Sequence, residues 1–281
     1  MNTLKDKKGF LKLFDIKIPR ECDFDYYIDQ LSNLSRYSNI KELVDIYHED
    51  ELKYGDLFEL RMILSNEIIN ELKNTHAYNE MLIDQLSGLP TNKSYSYDNG
   101  IYVSIDLRSA NFQSLKKYDQ RGEIPTSYSE LLSNFNSPEI FKHSKYLRQV
   151  IFGNLNPKRQ QLVQRHIVQE LVRKLDSENI QAVRNDEIII KLESYDEYES
   201  NIEPYVDFEK YRVKIFQNSN YDGFRIEREI DSDGRLISKD FYGLNRNMLF
   251  WKIKELITFE EIEDRDLYFI SEGKLAKWVI E

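Results

Sequence analysis

The 281-residue chain carries one cysteine, Cys22, which excludes an internal disulfide and a cysteine-rich metal site. Its four histidines, His48, His76, His143 and His166, are scattered, so a zinc cluster is not expected. Ten glycines and six prolines are too few for a collagen-like chain. No apolar run approaches the ~20 residues of a membrane span. The opening Met1-Asn2-Thr3-Leu4-Lys5-Asp6-Lys7-Lys8 lacks the apolar core of a signal peptide. A cytoplasmic location without a membrane partner is therefore expected. Positive charge is also in deficit: 39 basic residues face 49 acidic ones, a net charge of −10. That argues against coating nucleic acid with the whole surface, but leaves room for a local basic groove.

What is present suits a folded protein of one large or two small domains. The chain is 41% hydrophobic and 31% charged, enough to bury a real core. Ile, Asn, Lys, Tyr and Glu are prominent, a bias that reads as an AT-rich coding source such as a virus, a phage or a low-GC bacterium.

Residues 1–20 mix basic and apolar side chains and stop at Pro19, which reads as an arm or short strand. From about 24 to 86 the pattern is helical. Asp56-Leu57-Phe58-Glu59 resembles a capping box, and Leu57, Leu60, Leu64, Ile68 and Leu72 follow at spacings of three and four. The Gly, Pro, Asn and Ser cluster at 87–100 is a loop. Ile101-Tyr102-Val103-Ser104-Ile105 is a strand running into Asp106, and helices are expected over 109–118, 127–135 and 138–152. Lys158 to Leu175 is a helix with Pro157 at its start and Val163, Ile167, Leu171 and Leu175 as its stripe.

Gln181-Ala182-Val183 and Ile188-Ile189-Ile190-Lys191-Leu192 form a hairpin with Asp186-Glu187 at its tip. Residues 193–209, with seven acidic and no basic residues, read as a solvated linker. Strands follow at 211–217, 224–230 and 236–242, then a helix at 246–257 and a strand near 267–271. Tyr26-Tyr27 and Phe250-Trp251 read as core. The sum is an α+β protein: a mainly helical part (1–90), a sheet-centred core (91–200) and an α+β C-terminal part (201–281).

Two features share one design. A buried strand ends in a carboxylate, Asp106, and an apolar hairpin carries Asp186-Glu187 at its tip. Side by side, such strands hold two carboxylates rigidly within a few ångströms. That pair suits two magnesium ions ~3.5–4 Å apart, the geometry of in-line phosphoryl and nucleotidyl transfer. Magnesium keeps its waters, so few protein ligands suffice. Between the two features lies a basic stretch. From Lys142 to Lys174 there are eight basic residues and one acid, Glu170. Lys158, Gln161, Arg165 and Gln169 form one polar helical face, suited to phosphates and a template strand.

These parts resemble, in their order, the palm of template-directed nucleic-acid polymerases, notably reverse transcriptases and viral RNA-dependent polymerases. Val103 to Phe112 looks like motif A. Gly153-Asn154-Leu155-Asn156-Pro157 with its helix looks like motif B, and Val183 to Ile188 looks like motif C. Asp106 precedes Asp186 by 80 residues and Gly153 precedes it by 33, close to the intervals of compact reverse-transcriptase-like palms.

The resemblance covers about residues 100–192. It implies that Asp106 and Asp186 ligate Mg2+ (or Mn2+), with Glu187 accessory. It places Asn111 or Phe112 at the sugar 2′ position, Gly153 to Pro157, with Asn156 among them, at the templating pair, and Lys158 or Arg159 near phosphates, with Arg165 on the same basic helix as a further nucleotide- or template-binding candidate. Nucleic acid and nucleoside triphosphates are then the expected partners, and the C-terminal part is open to a protein partner.

The pattern differs in three places. Arg184-Asn185 stands where reverse transcriptases have an aromatic and an apolar residue. Asn111 replaces the aromatic of DNA-making enzymes. The basic fingers motif has no clear counterpart, with Lys93, Lys116 and Lys117 as candidates. Other readings of the same residues stay open. Asn185-Asp186 suits turn chemistry, Asp106 suits a helix cap, and the basic helix suits an exposed face. A non-catalytic nucleic-acid- or protein-binding module and a metal-dependent nuclease are the alternatives to a nucleotidyltransferase.

Overall fold

The computed structural model describes residues 4–89, 91, 98–175 and 178–279. The chain opens with five helices: α1 (Leu4–Leu13), α2 (Phe24–Leu31), α3 (Ile40–Tyr54), α4 (Leu57–Asn74) and α5 (His76–Ile83). After the loop comes β1 (Gly100–Leu107). Five more helices follow: α6 (Ala110–Lys116), α7 (Tyr128–Ser133), α8 (Glu139–His143), α9 (Lys145–Gly153) and α10 (Pro157–Val172). The rest is β2 (Ile180–Val183), β3 (Glu187–Leu192), α11 (Tyr195–Asn201), β4 (Tyr211–Tyr221), β5 (Phe224–Ile230), β6 (Leu236–Tyr242), α12 (Leu249–Ile253), β7 (Tyr268–Ser271) and β8 (Lys274–Lys277).

Six strands form one antiparallel sheet in the order β2-β3-β1-β4-β5-β6, while β7 and β8 pair separately. Strands from the segments 91–200 and 201–281 thus share a sheet. This is an α+β fold. Strand side chains alternate between faces, and the two faces differ. On one, Val103, Ile105, Leu107, Ile188, Ile190, Leu192 and Ile215 join a core that continues into the helices, from Phe10 of α1 to Ile253 of α12. On the other, Tyr102, Ala182, Ile189 and Phe216 make a small separate cluster, beside the polar row described below.

Local chemistry explains most of the helices. The Asp56 side chain accepts from the backbone N–H groups of Phe58 and Glu59, which caps α4 as its sequence predicts. Leu57, Leu64, Ile68 and Leu72 are its buried stripe. Pro157 occupies the first turn of α10, where its missing N–H costs nothing. Val163, Ile167 and Leu171 face the core. Tyr27 and Phe250 are buried with ring centroids 4.4 Å apart, tying α2 to α12.

Four segments differ from expectation. Residues 4–13 are helical rather than an arm or strand. Phe10, Leu13 and Phe14 have helical spacing, and Phe10 sits edge-on to Phe24 and Tyr47. Gly9 permits this approach, because an added Cβ would stand 2.1 Å from Tyr47 Oη. Residues 193–209 are no solvated linker. Tyr198, Ile202 and Val206, four residues apart, are buried, and the acidic residues between them hide that period. The helix expected at 246–257 is a 3-10 turn, then α12, then a π turn at Lys254–Thr258. The strand near 267–271 has an unforeseen partner, β8, across Gly273 at φ +78°. Among the described residues no helix is long and apolar enough to cross a membrane.

Candidate active site

The carboxylates meet at one end of the sheet. Asp106 lies directly opposite Glu187 of β3 and opposite Arg212 of β4 in the strand register. The next residue, Leu107, donates its N–H to the backbone carbonyl of Asp186 at 2.7 Å. The hairpin turn carrying Asp186 is therefore stitched to the end of β1. The apolar sequences of β1 and β3 cause this placement. Their alternate residues go into the core, and register then forces Ser104, Asp106 and Glu187 onto the opposite face.

Each carboxylate has a different environment. Glu187 is fully engaged: Ser104 Oγ donates to Oε1 at 2.6 Å, and Arg184 Nη1 donates to Oε2 at 2.6 Å. Asp106 has one partner among the described residues, Arg212, whose Nη2 donates to Oδ2 at 3.2 Å. Burial pushes the Asp106 carboxyl up to about 6; Arg212 opposes the rise, and the nearby charges of Asp186 and Glu187 add to it. No hydrogen bond or ion pair engages the Asp186 carboxylate among the described residues, and its side chain is half-buried.

The chain leaves this end of the sheet under backbone constraint. Ser109, between β1 and α6, has φ +47° in the left-handed region, a conformation of the kind stored near functional sites. Arg108 steadies the turn by donating through Nε to the carbonyls of Phe208 and Tyr211.

The other anticipated residues divide into two groups. Arg165 reaches the hairpin turn, donating through Nε to Asn185 Oδ1 at 2.7 Å. Asn111 on α6 accepts from Gln164 Nε2 of α10 at 2.8 Å, so α6 and α10 are bonded beside the site. The second group is placed differently. Phe112 is buried, its ring edge-on to Phe152, and presents no surface to a sugar. Arg159 faces α5, donating through Nε to the Met81 carbonyl at 2.6 Å and through Nη2 to that of Asp84. Asn156 is the left-handed N-cap of α10, accepting from the Arg159 N–H. Gly153 ends α9 with open space around it. Lys158 is exposed and has no ion pair among the described residues.

Buried Gln160 organises this turn, donating from Nε2 to the carbonyls of Phe152 and Leu155 at 2.8 and 2.7 Å. Of the fingers candidates, Lys93 lies outside the described residues, Lys116 donates to the Ile124 carbonyl and Lys117 pairs with Glu170.

Sequence reasoning missed Arg212, Ser104, Gln160 and Gln164 as parts of this region. Ser104 was findable, standing two residues before Asp106 on the same strand face. Arg212 left no local signal, since it reaches the site through the register of a strand 106 residues away.

Among the described residues no three His, Cys, Asp or Glu side chains converge as a ready metal group. The donor chemistry of Asp106 and Asp186 nonetheless fits a hard divalent cation. Asp106 carries costly negative charge in half-buried surroundings, and magnesium needs only one or two carboxylates besides water. No protein-family model, curated protein or solved structure matches the chain.

Proposed function

We propose that this protein is a palm-type nucleotidyltransferase that extends or synthesises a nucleic-acid strand. The observation that supports this most is the stitching of the Asp186 turn to the end of β1, which puts Asp186 and Glu187 beside Asp106. In this reading Asp106 and Asp186 hold Mg2+ or Mn2+, and Glu187, saturated by Ser104 and Arg184, shapes the field instead of ligating. When bound, such ions would stabilise charge on the transferring phosphoryl group and lower the pKa of the attacking hydroxyl. The protein's own part is positional. The sheet fixes Asp106, the hairpin fixes Asp186, and Arg165 braces the turn through Asn185. Lys158, exposed at the start of α10, is available to a phosphate.

The ion pairs on Asp106 and Glu187 favour a second reading, a non-catalytic nucleic-acid- or protein-binding module. Primer-extension assays on DNA and RNA templates with Mg2+ or Mn2+ separate the two. Incorporation by the wild type that is lost in Asp106→Asn and Asp186→Asn, with both variants folded, supports the transferase. Magnesium-independent, salt-sensitive strand binding without incorporation supports the module. Shortened strands formed without nucleotides would identify a nuclease on the same carboxylates.

A further inference from the structure

We infer that Arg212 is a built-in counter-cation for Asp106, holding the carboxylate in the metal-free protein and competing with a divalent cation for it. The inference rests on the metal-binding reading above and assigns a positioning role to a residue outside the motifs.

Three observations carry it. First, the partnership is set by the fold. Arg212 is directly opposite Asp106 in the β1–β4 register, and its guanidinium is that carboxylate's only partner among the described residues, at 3.2 Å. Second, the pair is unequal. The Arg212 side chain is 67% exposed against 32% for Asp106, so the arginine can swing into water while the aspartate stays fixed on its strand. The Arg184–Glu187 pair differs: it spans three residues of one hairpin, and Ser104 takes the other carboxylate oxygen. Third, among the described residues the neighbouring cations are engaged elsewhere, Arg165 with Asn185 Oδ1 at 2.7 Å. Lys214, on the same sheet face, pairs with Glu227 at 3.0 Å, Arg184 is bound to Glu187 and Arg108 to two carbonyls. Loss of Arg212 therefore leaves Asp106 uncompensated, and a metal ion would then meet no rival.

The test is Mn2+ titration of the full chain, followed by the electron paramagnetic resonance of free Mn2+. Wild type, Arg212→Gln, Arg212→Lys and Asp106→Asn are compared, and thermal midpoints are read in chelator and in Mn2+. Competition by a partly exposed ion pair worth about 1 kcal/mol predicts that Arg212→Gln binds Mn2+ about threefold to tenfold more tightly. Arg212→Lys should restore near wild-type affinity. In chelator Arg212→Gln should melt below wild type, and Mn2+ should raise its midpoint by more. Arg212→Thr, with a strand-favouring side chain, repeats the test if the glutamine variant folds poorly.

Equal or weaker Mn2+ binding by Arg212→Gln, or by Arg212→Thr in its place, alongside weakened binding by Asp106→Asn, would overturn the counter-cation role and leave the metal reading standing. Mn2+ binding unaffected by Asp106→Asn would instead remove the metal site itself, and the role of Arg212 with it.

Discussion

Asp106→Asn should stabilise the metal-free protein at neutral pH while abolishing any nucleotidyl transfer. The carboxyl is pushed from an ordinary 3.8 up to about 6, so ionised Asp106 disfavours the folded state. At 1.36 kcal/mol per pH unit the ceiling is ~3 kcal/mol. The side chain is 32% exposed, and solvent screening lowers this to ~1–2 kcal/mol. The attraction of Arg212 is already contained in the net position of the carboxyl, so its loss is not counted again. For a chain of this size the gain corresponds to a rise of ~2–6 °C in thermal midpoint.

The sign fixes the pH window. A carboxyl raised in the folded state costs nothing below its unfolded pKa. The cost grows as pH rises through about 6 and is then constant. Urea denaturation of wild type and Asp106→Asn from pH 4 to pH 8, in chelator, measures this. The two stabilities should coincide near pH 4 and separate by pH 7. A gap independent of pH, or an asparagine variant less stable at pH 7.5, would refute the reasoning.

Arg159 and Lys158 are neighbours with opposite expectations. Arg159→Met, which leaves the Met81 and Asp84 carbonyls without their donor, should cost ~1–3 kcal/mol in denaturation and leave the salt dependence of strand binding unchanged. Lys158→Gln should leave stability within ~0.5 kcal/mol and lower the slope of log affinity against log salt by about one. Gln160→Leu removes a buried donor from two carbonyls at the α9–α10 turn and should cost ~2–3 kcal/mol by urea titration. Gly9→Ala gains up to ~1 kcal/mol of helix propensity but meets Tyr47 Oη. Net destabilisation is expected, and it should shrink in a Tyr47→Phe background, read as a double-mutant cycle of thermal midpoints.

Much of the secondary structure is legible in the chain because its causes are local. The Asp56 cap, Pro157 at the start of α10 and the apolar strands around Asp106 and Asp186 each act within a few residues of themselves. Helix α1 is also written locally, in Phe10, Leu13 and Phe14. What obscures it is Gly9, whose value appears only when Tyr47 packs against it. The buried period at Tyr198, Ile202 and Val206 is masked by acidic residues whose charge dominates the composition.

The sequence by itself determined where the paired carboxylates would stand: Asp106 at a strand end and Asp186-Glu187 at a hairpin tip. Alternation of apolar residues settled which face each would take. Only the tertiary structure decided their company. The β1–β3 and β1–β4 registers brought Glu187 and Arg212 opposite Asp106, turned Arg159 toward α5 and placed Arg165 on the hairpin turn. Such pairings depend on how distant strands and helices share one core. Their free energies are set by burial and proximity, which arise when the chain closes on itself.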